Sequence, residues 1–339
     1  MDAETVAARY ARFARDEAPG RCEQYARWAV GVASDPAAQR VLERIPPAHR
    51  QPPLVFAVTR LLGVAGDADA VDPVPYAAWR DGLLTHAEVV VAECTTRSLQ
   101  TNEPQRCAAL LPALSGILGP LALLEIGASA GLCLYPDRYS YRYRGPAGAA
   151  ELDPVDGPSD VVLECELRGQ RMPPLALPEI VWRAGIDLAP LEAADPATDR
   201  WLTTLVWPGE SGRADRVRAA LRIAAADPPA LFAGDGAALL AEVAASAPAD
   251  ATLVIQTPGV LAHLAWPARH ELIAAVRRAR DGRARWLTLD APTLHEGWHR
   301  RPAARGGGFA LGLDGDILAA ADPLGAWLEW RTPNASSAA

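Results

Sequence analysis

The stretch Leu121-Ala-Leu-Leu-Glu125-Ile-Gly127-Ala-Ser129-Ala-Gly131-Leu132 decides how the chain is read. Its apolar run follows Pro120 and ends in a cluster of small residues. That pattern predicts a fully buried strand, a tight turn and then a helix. Such a turn holds ligands: small residues let the backbone approach a bound molecule, and the free N–H groups of a helix start point at it.

Two readings compete for these residues. Glu125-Ile-Gly127-Ala-Ser129-Ala-Gly131 resembles the first motif of Rossmann-like S-adenosylmethionine-dependent methyltransferases, an acid two residues before a Gly-x-Gly-x-Gly loop. The same letters, Gly127-Ala-Ser129-Ala-Gly131, match the nucleophile elbow of the α/β hydrolases, with Ser129 as nucleophile. Context favours the first. An elbow needs strands and an oxyanion loop upstream, whereas residues 1–118 read as helices, and Pro136 arrives within about two turns of the serine. The third reading is a buried strand followed by an ordinary small-residue turn.

Working outward, the N-terminal region shows helical spacing at Val6, Tyr10, Phe13 and Ala14, and again at Tyr25, Trp28, Ala29 and Val32. Asp35-Pro36 starts a further helix, Leu54 to Leu62 another, 63–73 reads as an exposed loop, and Tyr76 to Ser98 predicts one longer helix. Gln100-Thr-Asn-Glu-Pro-Gln-Arg-Cys107 then forms a polar knot ahead of a helix from 108 to 118. Thr101 or Asn102 suits an N-cap, and Asn102 and Arg106 are also candidates to meet a substrate beside the loop.

Beyond the loop, Tyr139-Ser-Tyr-Arg-Tyr143 alternates as a half-exposed strand does, with 160–168 as its β partner. Ile180-Val-Trp-Arg183-Ala-Gly-Ile-Asp187 predicts a strand closing in an acid. Arg183 is a candidate for a substrate carboxylate or for pairing with Asp187. Strands at 229–235, 251–258 and 285–290 alternate with helices at 236–246 and about 267–280, which calls for a mostly parallel sheet. Phe309 to Leu313 and Trp327 to Arg331 read as the arms of a terminal hairpin.

The expected fold class is therefore α/β, a Rossmann-like, methyltransferase-type sheet. Residues 1–118 form a helical region, 119–332 the α/β domain with a small β insertion, or an extension of the sheet, at about 135–180, and 333–339 a disordered tail.

With 339 residues, 22% of them charged and half hydrophobic, the chain has ample material for a core. A net charge of −8 and a pI near 5.3 exclude nucleic-acid binding by phosphate contacts. The absence of a long apolar segment or a basic leader predicts a soluble cytoplasmic protein with no membrane partner. Five scattered cysteines fit neither a disulfide framework nor a zinc site. His295-Glu296-Gly297-Trp298-His299 spells the zinc-protease pattern His-Glu-x-x-His, but Pro292 and Gly297 argue against the helix it requires, so no metal is expected.

The polar knot at 100–107, the loop with Asp137-Arg-Tyr-Ser-Tyr141 behind it, and Trp182-Arg-Ala-Gly-Ile-Asp187 together resemble an uncharacterised bacterial family common in high-GC bacteria. That resemblance implies a methyltransferase-like Rossmann core. On this pattern Glu125, Gly127, Ser129, Gly131, Asp187 and Asp235 would bind S-adenosylmethionine, with Asp187 on the ribose hydroxyls, while Asn102, Arg106 and Arg183 would face a small-molecule substrate. Two departures stand out: Ser129 replaces the central loop glycine, and Gln256-Thr-Pro-Gly259 replaces the motif of amino-group methyltransferases. Methyl transfer is the leading expectation. Cofactor-free displacement or ring closure, a Ser129 hydrolase and a non-catalytic binder are the alternatives, and substrate, general base and oligomeric state stay open.

Overall fold

A computed structural model describes residues 4–64, 74–100, 102–280, 284–298 and 308–331. The chain divides into two compact units, one of Met1–Thr101 with Pro196–Arg218 and one of Asn102–Asp195 with Ala219–Ala339.

The first unit is helical. Its helices are α1 (Val6–Asp16), α2 (Glu23–Ala33), α3 (Pro36–Leu42), α4 (Pro52–Leu61), α5 (Tyr76–Thr85), α6 (Ala87–Thr96) and, later in the chain, α8 (Pro196–Thr204). Thr5 caps α1 by accepting from the Ala8 amide, and Asp35 caps α3 ahead of Pro36, as their side chains and the proline ring favour. The single helix expected over 76–98 is two. His86 leaves helical geometry at φ −110°, ψ 24°, and ends α5.

The apolar faces of these helices converge on Phe56 of α4. Its ring centroid lies 4.9 Å from Tyr25, 5.4 Å from Trp28 and from Trp79, 5.7 Å from Tyr10 and 6.2 Å from Phe13. Aromatic pairs in this range add to ordinary area burial. Because five rings lean on one, Phe56→Ala should cost about 3–5 kcal/mol of the unit's stability, read by chemical denaturation with fluorescence detection.

The second unit carries α7 (Arg106–Ser115), α10 (Gly236–Ala245), α11 (Trp266–Arg280) and one sheet; α9 (Arg213–Ala226) runs across the division. The strands are β1 (Leu121–Ile126), β2 (Ser140–Gly145), β3 (Gly148–Leu152), β4 (Val162–Arg168), β5 (Ile180–Asp187), β6 (Ala230–Ala233), β7 (Thr252–Pro258), β8 (Arg285–Asp290), β9 (Phe309–Leu313), β10 (Asp316–Ala321) and β11 (Trp327–Trp330). Their order across the sheet is β3-β2-β4-β11-β10-β9-β8-β7-β1-β5-β6. Strands β6, β5, β1, β7 and β8 are mutually parallel, and β9, β10 and β11 follow antiparallel.

Three boundaries differ from the sequence reading. Helix α7 joins the sheet unit because residues 107–114 are buried all round and pack on β4, β8 and β9. Residues 196–218 join the helical unit instead, α8 packing on α4. Of the two readings of 135–180, the segment is the sheet extension and not an insertion: β4 pairs parallel with β2 and with β11, so it forms the far end of the same sheet, and β3 was not anticipated. Nor do β9 and β11 pair directly; β10 lies between them. Its Asp316-Ile-Leu-Ala-Ala-Ala carries a single β-branched residue, Ile317, and no aromatic one, and its alanines carry no strand signal.

Side chains alternate between the faces of each strand. Ala122, Leu124 and Ile126 of β1 pack with Ile255, Trp286 and the α10 and α11 residues Leu240, Val243, Leu272 and Val276. Glu125 and Gln256, partners in register, therefore point to the other face, where the N-terminus of α7 lies. The stacked Tyr141 and Tyr143 are fully buried, their hydroxyls donating to the carbonyls of Pro136 and Ala108, so this aromatic row is core and no base-stacking surface. Among the described residues no helix is long and apolar enough to cross a membrane, and all five cysteines are buried free thiols. The expected loop at 63–73, from 65 on, and the expected tail at 333–339 lie outside the described residues.

Candidate functional site

From β1 the sheet continues to one side through β5 and β6 and to the other through β7 and β8, so the topological switch point falls at the carboxyl ends of β1 and β7. Open α/β sheets hold their ligands at such a point. The residues gathered there come from four places: Glu125 at the end of β1, residues 127–133 after it, Gln256 on β7, and residues 102–107 leading into α7.

The loop 127–131 is shaped by its backbone. Gly127, Ser129 and Gly131 all have positive φ, 74°, 51° and 74°, a conformation costly for the serine. Asp187 supports it. One carboxylate oxygen accepts from the Ser129 amide and the other from the Ala189 amide, both at 2.8 Å, and the Ser129 carbonyl accepts from Leu191. The expected helix does not follow; only a short 3-10 turn at Leu132–Leu134 does. The loop faces inward, with Ala128, Ser129 and Ala130 buried, a Cβ on Gly127 falling 2.7 Å from Val260, and one on Gly131 falling 3.0 Å from Pro229.

These contacts bear on the fit of a nucleotide-type cofactor. The carboxylate expected on the ribose is spent on the loop's own amides, the loop ends in no sustained helix, and its glycines abut protein. In this conformation the residues do not fit S-adenosylmethionine. Asp235 is likewise a helix cap, accepting from the Ala238 amide at the start of α10.

On the α7 side the picture is different. Glu125 is 4% exposed, and burial, with Cys133 close by, holds its pKa well above the usual carboxylate range against the pull of Arg106 and of side-chain hydrogen bonding with Gln256; its Oε2 meets no donor. Burial thus favours its neutral form. Gln256, fully buried, donates from Nε2 to the Cys133 carbonyl, while its Oε1 has no partner. Asn102 accepts from the Leu132 amide at 3.4 Å, leaving Nδ2 buried without a partner. Arg106 donates to the carbonyls of Pro258 and Pro323, and its charge acts on Glu125. The thiol of Cys133 donates to the Glu103 carbonyl, and hydrogen bonding with Cys107 together with burial raises its pKa well above normal, which makes it an inert thiol.

Arg183 pairs with Asp137, not with Asp187: Nη2 to Oδ2 is 2.7 Å. Gln256 and Asp137 belong to stretches the sequence singles out, but the sequence reading gives neither a role at the site, and it takes Asp290 only as the end of a strand. Asp290 closes β8 on the α11 face, fully buried, with Thr288 donating to it, and burial lifts its pKa to about 7. His295 is buried beside Trp298, ring centroids 3.8 Å apart, and burial lowers its pKa to about 4. The zinc-protease pattern has no helical frame, since the 3-10 turn ends at Leu294 and Gly297 has φ 74°; His299 lies outside the described residues.

The class these elements define is a mixed α/β protein built on one large, mostly parallel sheet. A family profile described as an uncharacterized protein conserved in bacteria (DUF2332) matches residues 7–330, and the chain belongs to that family. No curated protein matches it.

Replacing Asp187 by Ala should release the Ser129 and Ala189 amides together, with faster hydrogen exchange at both and a stability loss of about 1–3 kcal/mol. Asp290 gives a pH test. Its folded pKa is raised, so its contribution is fully present below about pH 4 and is lost as pH climbs to about 7. Asp290→Asn should flatten that decline, leaving the variant more stable at pH 8 by at most roughly 4 kcal/mol in urea melts.

Proposed function

We propose that this chain is a small-molecule enzyme on a methyltransferase-like sheet, working by acid–base displacement or ring closure without a cofactor on its glycine loop. One observation carries the reading: a buried glutamic acid at the switch point, its neutral form favoured by burial, with a carboxyl oxygen that meets no donor. A carboxyl group kept protonated at neutral pH can hydrogen-bond a developing negative charge or give its proton to a leaving group. Gln256 offers an acceptor and Asn102 a donor beside it, and the Arg106 charge favours the negative charge that forms once the proton has gone.

S-adenosylmethionine-dependent methyl transfer is the second reading. The strand order β6-β5-β1-β7-β8 and the Glu125-Ile-Gly127 start of the loop favour it, and the closed loop counts against it. A hydrolase on Ser129 draws support from the serine's positive φ, but the missing helix after it removes the elbow's frame.

Two measurements test this. Calorimetry with S-adenosylmethionine should show no saturable heat; saturable binding that disappears in Gly131→Val would establish the second reading instead. In a bacterial metabolite extract followed by mass spectrometry, the wild type should consume a compound that Glu125→Gln, folded and isosteric, consumes at least about 100-fold more slowly. Equal consumption by the two would remove Glu125 from the chemistry.

A further inference from the structure

The face that carries Glu125 holds a second group, Arg183, whose hydrogen bonds account for only part of it. Arg183 of β5 is opposite Leu123 of β1 in register, and Glu125 lies two residues further along the same strand, so the two side chains rise from the same face about 8 Å apart. The Arg183 side chain is 7% exposed, packed with its guanidinium 4.9 Å from the Tyr135 ring centre. Nη2 donates to Asp137, but Nε and Nη1 are buried with no partner. Leaving such donors unmade is expensive, and more so for a charged group.

What faces Nε is informative. The Asp227 carboxylate stands 3.9 Å from it, too far for a hydrogen bond, and 3.8 Å from Nη2 of Arg138. Asp227 and Arg138 are both largely exposed, their side chains at 63% and 49%. A solvent-facing carboxylate is thus loosely held between two guanidinium groups, one at the surface and one behind it. The Asp227 carbonyl, by contrast, is firmly fixed, accepting from the Tyr135 hydroxyl at 2.6 Å. The backbone is anchored and the side chain is replaceable.

We infer that Arg183, with Arg138 at its rim, is a binding site for a small oxyanion of the substrate, a carboxylate or a phosphate, and that Asp227 occupies the place which that group takes. An entering oxyanion approaches from solvent past Arg138, swings the Asp227 side chain aside and accepts the Nε–H that Asp227 does not reach. Charge-assisted bonds to a desolvated guanidinium are the strong kind. Anchored there, a molecule of modest size extends toward Glu125 on the adjacent strand. This inference rests on reading that face as the substrate's, but it is measured by binding, whereas the role of Glu125 is measured by turnover, so either can fail alone.

Calorimetric titrations with acetate and, separately, with methyl phosphate distinguish the two sources of the oxyanion. Saturable binding of either supports the site. Asp227→Asn, at an exposed position, should tighten that binding about fivefold by removing the competing charge. Arg183→Gln should abolish it. Because Arg183→Gln strands Asp137, the double variant Arg183→Gln, Asp137→Asn serves beside it as the neutral, folding-competent form. Failure of both anions to bind Asp227→Asn saturably, or unchanged affinity in the folded double variant, would overturn the inference.

Discussion

The grip of Asp187 on two backbone amides is the contact on which the crevice depends. Ser129 occupies a left-handed conformation that its side chain disfavours, and the carboxylate at the end of β5 supplies the compensation by accepting from its amide and from that of Ala189. The loop is thereby closed onto the sheet. Everything after it takes its position from this closure: the 3-10 turn, Cys133 with its carbonyl held by Gln256, and the turn that carries Asp137 and Arg138 toward β5.

Two polarities sit on opposite faces of one sheet. On the α11 side, Trp286, Thr288, Asp290 and His295 are surrounded by core, and burial moves their acid and base in opposite directions, the carboxyl up and the imidazole down, as desolvation requires. On the α7 side Glu125 is desolvated too, among Gln256, Asn102 and, one step along, Arg183 and Asp137. Both faces leave buried polar atoms unmatched, Oδ1 of Asp290 and Nε2 of His295 on the first, Oε2 of Glu125, Oε1 of Gln256 and Nδ2 of Asn102 on the second. What sets the second apart is its place at the topological switch point of the sheet.

Much of the architecture was legible. The apolar run ending at Glu125, the strands at 180–187, 252–258 and 285–290 and the helices between them announce themselves by periodicity and by their turns. The strand β10 did not, because an alanine-rich segment has no β signature, and the break at His86 did not, because nothing in the local sequence separates α5 from α6. Of the candidate residues, Glu125, Asn102 and Arg106 gather where the motifs suggested, while Asp187 and Asp235 make backbone bonds, one to the loop and one at a helix cap.

What the sequence determined by itself was local: which segments bury both faces, where small residues permit a tight loop, and that the chain is acidic and reduced in its cysteine chemistry. Tertiary structure alone decided the partners. That Arg183 reaches Asp137 across 46 positions, that Gln256 holds Cys133 across 123, and that the polar face of β1 is the one beneath α7 follow from strand order and register. Spacing along a chain fixes which side of a strand a residue faces, but only the packing of distant strands fixes what it finds there.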